Sequence, residues 1–154
     1  MDLSEVLVSG NVLATLRASS KKHVLQDLAE FAAQATGIDP RRVFDVLLAR
    51  ERLGSTGIGD GIAIPHGRVA DLDRMHAFFA RLEEPVDFDA VDGAPVDLVF
   101  LLLAPEDAGT VHLKTLARVS RLLRDRVLCD KLRGTRAADA LYAMLTETAT
   151  LHAA

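Results

Sequence analysis

The order of apolar and polar positions divides the chain into alternating strand and helix signals. Val12, Ala14 and Leu16 recur at every second position, which predicts a short strand over 11–16. A helix follows. Val24, Leu25, Leu28, Phe31, Ala32 and Ala35 recur at helical spacing, Ser19 or Ser20 can cap its start, and Gly37 supplies the stop. Asp39-Pro40 then opens a second helix in cap-then-first-turn order, with Val43, Phe44, Leu47 and Leu48 inward and Gly54 as terminator. Arg50 and Arg52 therefore fall in its last turn. Strands are predicted over 61–64, 76–82 and 96–103, the last apolar enough for burial on both faces. The stretch 83–95 reads as a loop with a weak strand over 86–88. A third helix begins near Gly109-Thr110 and carries Leu113, Leu116, Ala117, Ser120 and Leu123 on one face. Helices over 127–132 and 136–145, separated by Gly134, complete the pattern.

Helices before, within and after a strand group predict an α/β (α+β) fold, a single mixed sheet of about five strands flanked by helices on both faces. With 154 residues, 49% of them hydrophobic, the chain suits one domain spanning 1–154. There is no internal repeat, low-complexity segment or long linker. The single cysteine, Cys129, has no internal disulfide partner and no metal-type spacing, so a reducing compartment is the simplest reading, with a reactive thiol as the alternative. The first residues are acidic and lack a signal peptide's basic and apolar regions, and the longest apolar run, 98–104, is too short to span a bilayer. The expectation is a cytoplasmic protein without membrane insertion.

A net charge of −4 argues against a nucleic-acid partner, yet the charges are unevenly spread. From Val69 to Gly109 there are ten acids against Arg74 and Arg81. From Thr110 to Arg136 eight basic residues face only Asp125 and Asp130. Solvated faces or a partner-docking surface both fit this segregation.

The candidate chemistry lies in Gly54-Ser-Thr-Gly-Ile-Gly-Asp-Gly-Ile-Ala-Ile-Pro-His66-Gly-Arg68, where a glycine-rich loop leads to a histidine behind a proline. Gly54, Gly57, Gly59, Gly61 and Gly67 allow positive φ or close approach to a ligand, and Pro65 biases Ile64 to an extended conformation that fixes His66 at a strand end. A Walker-type phosphate loop is excluded because Asp60 stands where its lysine is needed. A dinucleotide fingerprint is excluded because its last glycine is missing and the strand follows the loop. No local metal-ligand pair exists, although His66, His76 and His112 remain open as convergent zinc ligands. A neutral imidazole at neutral pH suits nucleophilic transfer of a phosphoryl group, whose spread negative charge calls for donors around it. Donors are available in the backbone N–H groups beside His66, such as that of Gly67, in the hydroxyls of Ser55 and Thr56, and in a guanidinium from the preceding helix end.

The segment from Arg50 to Gly67 resembles the active-site region of the fructose/mannitol-type IIA proteins (EIIA type 2) of the phosphoenolpyruvate-dependent phosphotransferase system, and most closely their nitrogen-regulatory branch. The opening Asp-Leu-Ser-Glu-Val-Leu, Ala18-Ser-Ser-Lys-Lys22, Leu101-Leu-Leu-Ala-Pro and His112-Leu-x-x-Leu116 agree with it, so the similarity spans the chain. The resemblance implies that His66 is the histidine phosphorylated through Nε2 by an HPr-like phosphocarrier, that Arg50 stands near the phosphoryl group, and that His112 is a second histidine of the site. No cofactor and no metal are expected. The downstream partners that the resemblance implies are regulatory targets such as transporters or kinases, with passage of phosphate to a sugar-specific IIB partner as the alternative. A binding module that is never phosphorylated is the alternative of another class. Each residue also has a plainer reading: Arg50 as a cation at a helix C-terminus, His112 as ordinary surface, Ser55 and Thr56 as turn residues. Two positions depart from the family pattern. Lys114 occupies a place where a histidine is equally acceptable, and Asp60 replaces a neutral residue, its charge beside the loop expected to slow phosphorylation.

Overall fold

The computed structural model describes residues 2–153, one residue short at each end of the expected domain. Its elements, in chain order, are β1 (Val12–Leu16), α1 (Lys21–Thr36), α2 (Pro40–Arg52), β2 (Gly57–Gly59), β3 (Ile62–Ala63), β4 (His66–Arg68), β5 (His76–Val86), β6 (Val96–Ala104), α3 (Thr110–Leu122), α4 (Arg126–Arg133) and α5 (Ala138–Ala153), preceded by two 3-10 turns. The sheet is mixed, with strand order β1-β5-β6-β3-β2 and β4 paired to β6 beyond β3. β1 runs parallel to β5, β3 and β4 run parallel to β6, and β5–β6 is the long antiparallel pair at its centre.

Both faces of the sheet are buried, and the period-2 rule assigns each side chain to one of them. Val99, Leu101 and Leu103 of β6, with Phe78, Ala80 and Leu82 of β5, pack against α1 and α2. Leu98, Phe100 and Leu102, with Ala77 and Phe79, pack against α3, α4 and α5. The result is a three-layer arrangement with helices on both faces, as the pattern predicts.

Local chemistry fixes both ends of α1 and the start of α2, the helix whose last turn carries Arg50. Ser20 Oγ accepts the His23 N–H at 3.1 Å, and Gly37 closes α1 at φ 76°. Asp39 accepts the Arg41 N–H at 2.9 Å ahead of Pro40, which starts α2.

The sheet has six strands rather than about five, because the short strands at 57–59 and 66–68 carry too few residues for a periodic signal. β5 continues through Pro85 to Val86, which pairs with Val96, and the ladder is irregular between Arg81 and Val86, where a proline can be tolerated. α5 extends to Ala153, well past the expected end at 145. The inward face of α3 also differs from the leucine pattern. His112, Thr115, Val119 and Leu122 are buried, whereas Leu113 is 59% exposed. Thr115 can face inward because its hydroxyl is satisfied locally, donating to the Val111 carbonyl at 2.9 Å. The acidic and basic stretches partly answer each other within the chain, through Arg133 with Asp97 and Arg136 with Glu83, each at 2.9 Å.

Candidate functional site

Three elements converge beside the second half of β6, where β4 replaces β3 as its parallel neighbour. The end of α2 supplies Arg50, β4 begins with His66, and the first turn of α3 supplies His112. Arg50 Nε donates to His66 Nε2 at 3.3 Å, and Arg50 Nη1 donates to the Gly54 carbonyl at 2.9 Å. His66 Nδ1 lies 2.9 Å from the Ile64 carbonyl. A carbonyl only accepts and a guanidinium only donates, so the two contacts together set the tautomer: hydrogen on Nδ1, lone pair on Nε2. The His66 and His112 rings lie 5.6 Å apart between centroids, tilted by 46°.

Burial holds the His66 pKa below the ordinary imidazole value. The Ile64 hydrogen bond opposes this, the Arg50 charge reinforces it, and the Glu51 charge opposes it. His112 is lowered likewise, by burial first and then by His66 and Arg68. Both rings are therefore neutral at neutral pH. His112 is only 4% exposed, which removes the ordinary-surface reading, and among the described residues its Nδ1 is a buried polar side-chain atom without a hydrogen-bond partner. Such an atom carries a desolvation cost that a ligand could relieve.

The glycine loop is shaped by two different demands. Asp60-Gly61 turns between β2 and β3 with φ of 58° and 80°, the pair of positive values that a two-residue hairpin turn needs. Asp60 is thus a turn residue. Its N–H donates to Asp92 Oδ2, its carbonyl accepts from Arg133 Nη2, and its carboxylate faces Arg126 at 3.8 Å. Gly67 is required for space, since a Cβ there would overlap Val46 Cγ1 on α2. Its N–H points into the sheet. Leu102 N–H donates to the Pro65 carbonyl and Val69 N–H donates to the Ala104 carbonyl, so the odd-numbered residues of this stretch face β6 and the N–H groups of His66 and Arg68 face away from it.

Ser55 and Thr56, expected as donors to a phosphoryl group, have their hydroxyl hydrogens engaged elsewhere. Ser55 Oγ donates to the Phe88 carbonyl and accepts the Gly57 N–H, and Thr56 Oγ1 donates to Glu51 Oε1. Both hold the loop, which is the turn-residue alternative.

Two contributors lie outside the candidate residues named from the sequence. Glu51 is buried against the loop, and its signal is an acid in the last turn of a helix, where the dipole disfavours one. Arg68 donates to the carbonyls of Glu106 and Gly109, tying β4 to the start of α3. Its signal is its position two residues beyond His66, on the same side of a strand.

Among the described residues no group of three or more His, Cys, Asp or Glu is placed to hold a metal ion. No described helix is long and apolar enough to cross a membrane. Cys129 is buried, its thiol pushed up to about 11 by burial, which is the opposite of a reactive thiolate's surroundings.

The family model for the phosphoenolpyruvate-dependent sugar phosphotransferase system, EIIA 2, matches residues 5–148. A nitrogen regulatory protein of Bradyrhizobium diazoefficiens is 52% identical over 145 residues, covering 94% of this chain and 95% of that protein. A nitrogen regulatory protein of Escherichia coli is 42% identical over 149 residues, covering 96% and 91%. The crystal structure of nitrogen regulatory protein IIA-Ntr from Neisseria meningitidis superposes with a TM-score of 0.89 at 36% identity, covering 94% of this chain and 99% of that one. With the family model and these relatives spanning nearly the whole chain, the protein belongs to the EIIA type 2 family of the phosphoenolpyruvate-dependent sugar phosphotransferase system, and its similarity is to nitrogen-regulatory members of that family.

Proposed function

We propose that His66 accepts a phosphoryl group at Nε2 from the phosphohistidine of an HPr-like phosphocarrier in the cytoplasm, and that the two resulting forms act differently on target proteins such as transporters or kinases. The observation that carries this reading is the fixed tautomer of His66, with Nδ1–H on the Ile64 carbonyl and Nε2 facing Arg50. In the transfer, the donor's N–P bond breaks with its electron pair returning to the donor imidazole, while the Nε2 lone pair forms the new N–P bond. Positive charge that develops on the His66 ring is met at Nδ1–H by the Ile64 carbonyl. Negative charge on the phosphoryl oxygens is met by the Arg50 guanidinium, which exchanges its contact with Nε2 for one with oxygen. The buried, neutral His112 ring stands beside the His66 ring, 5.6 Å away between centroids.

Similarity to nitrogen regulatory proteins over nearly the full chain favours the regulator over the sugar carrier. Incubation with phosphoenolpyruvate, enzyme I and an HPr-like protein is expected to add a single acid-labile phosphate, seen as one mass increment, that is absent from His66→Ala. No adduct, or one that survives that substitution, overturns the proposal. For regulation, wild type and His66→Asp are expected to retain different proteins in a pull-down, and identical sets count against a phosphorylation-dependent regulator.

A further inference from the structure

The last turn of α2 places Arg50 beside an acid that helix physics disfavours. Glu51 lies at the negative end of the helix dipole and is buried, so both the dipole and desolvation oppose a carboxylate there. It is nonetheless well coordinated. Both carboxylate oxygens lie 3.0 Å from the Thr56 N–H, Oε1 also accepts the Thr56 hydroxyl, and Oε2 faces Lys21 Nζ at 3.3 Å from the first turn of α1. Lys21 Nζ donates as well to the Phe88 carbonyl at 3.3 Å, the same carbonyl that accepts from Ser55 Oγ, and it lies over the Phe88 ring. Residues 55 and 56 are thus clasped from two sides, and Ile64 N–H donates back to the Thr56 carbonyl at 3.0 Å.

The clasp is connected to the reacting atoms by a short path. Gly54 adjoins the clasped residues, and its carbonyl accepts from Arg50 Nη1, the same guanidinium whose Nε contacts His66 Nε2. An arginine side chain on a helix end has several rotamers of similar energy, and the Gly54 acceptor selects one of them. Resting on the phosphohistidine reading of His66, we infer that Glu51, with Lys21 and Thr56, is a positioning residue for phosphoryl transfer: it holds the 53–56 loop so that the Gly54 carbonyl aims Arg50 at His66 Nε2. A single buried carboxylate thereby joins the start of α1, the end of α2 and the loop before β2.

The test is a double-mutant cycle between Glu51→Gln and Arg50→Ala, read as phosphorylation rate against phosphocarrier concentration. Glu51→Gln keeps the volume and one acceptor but loses the charge facing Lys21. It is expected to slow the maximal rate roughly tenfold, in keeping with misplacement of a charge-stabilising group, while the phosphocarrier concentration at half-maximal rate stays within about twofold. In the Arg50→Ala background the same substitution is expected to change the rate by less than about twofold, because there is no guanidinium left to aim. Lys21→Met and Thr56→Val run through the same cycle and are expected to show the same pattern, so the role is still tested if Glu51→Gln fails to fold. A wild-type adduct on His66 with an unchanged Glu51→Gln rate, or with equal losses in both backgrounds, overturns the positioning role alone. Absence of any adduct on His66 in the wild type overturns the phosphohistidine reading and this role with it.

Discussion

Arg50 Nε donates to His66 Nε2 across 3.3 Å, joining the last turn of α2 to the first residue of β4 by one side-chain hydrogen bond. The nitrogen proposed as nucleophile is therefore already faced by the cation proposed to receive the phosphoryl charge. Arg50→Ala is expected to lower the transfer rate by about a hundredfold, the scale seen when one oxyanion donor is lost. Stability should change little, because the other hydrogen bond of this guanidinium goes to the Gly54 carbonyl on an exposed loop. Single-turnover phosphorylation together with thermal unfolding separates the two. An unfolded Arg50→Ala would instead mark Arg50 as a structural helix-end cation.

The two site histidines set a pH dependence with a defined sign. Burial lowers both His66 and His112 below the ordinary value of 6.5, so the folded protein takes up their protons only at lower pH than the unfolded chain does. Their contribution to stability is present above the unfolded value and is lost as pH falls through the folded values. The proposed transfer is expected to follow the same direction, since a protonated Nε2 has no lone pair to attack phosphorus. The rate is expected to be flat above pH 7 and to fall only below the free-imidazole range. NMR titration of the imidazole resonances measures the pKa values, and urea unfolding at several pH values measures the linkage. His112→Gln should flatten part of the stability slope and slow transfer less than Arg50→Ala does. A His66 titration above 6.5 would contradict the burial argument.

Asp60 sits in the two-residue turn between β2 and β3. Its φ of 58° belongs to the hairpin turn, and its side chain faces Arg126. Asp60→Asn retains tolerance of the left-handed region and removes the charge, so the phosphorylation rate should be unchanged. Asp60→Val should destabilise the fold by roughly 1–2 kcal/mol through the left-handed penalty on a β-branched residue. Equilibrium urea unfolding and the transfer assay check the pair. A faster Asp60→Asn would show that this charge does impede transfer.

Much of this arrangement is legible in the chain because it rests on local signals. The caps Ser20 and Asp39-Pro40, the stop at Gly37 and the apolar run of β6 each encode their element within a few residues. The Ile64-Pro65-His66 sequence likewise locates His66 at a strand end. What stays hidden depends on contacts across the chain. Strands of three residues, such as β2 and β4, exist only through their pairing with β3 and β6. The buried face of α3 runs through His112, Thr115, Val119 and Leu122 and not through every leucine, so Leu113 is exposed while His112 is not. Ser55 and Thr56 resemble phosphate ligands because a hydroxyl beside a glycine loop is read as free until its partners, Phe88 and Glu51, are seen.

Gly67 illustrates how a loop glycine can serve packing and chemistry together. A Cβ at this position would overlap Val46 Cγ1, so β4 lies against α2 as closely as it does only because residue 67 lacks a side chain. That approach sets the distance between His66 on β4 and Arg50, one helical turn beyond Val46 on α2. Gly67→Ala is expected to cost about 1–3 kcal/mol, the scale of overpacking, and to slow transfer by pushing the two elements apart. Val46→Ala placed in the same chain removes the obstructing methyl groups. The double variant should therefore recover much of the transfer rate, and its loss of stability should be smaller than the sum of the two single losses. Thermal unfolding and single-turnover phosphorylation of the four chains make the comparison. Strict additivity in both measurements would mean that the α2–β4 spacing does not depend on this contact, and that Gly67 is needed for some other reason.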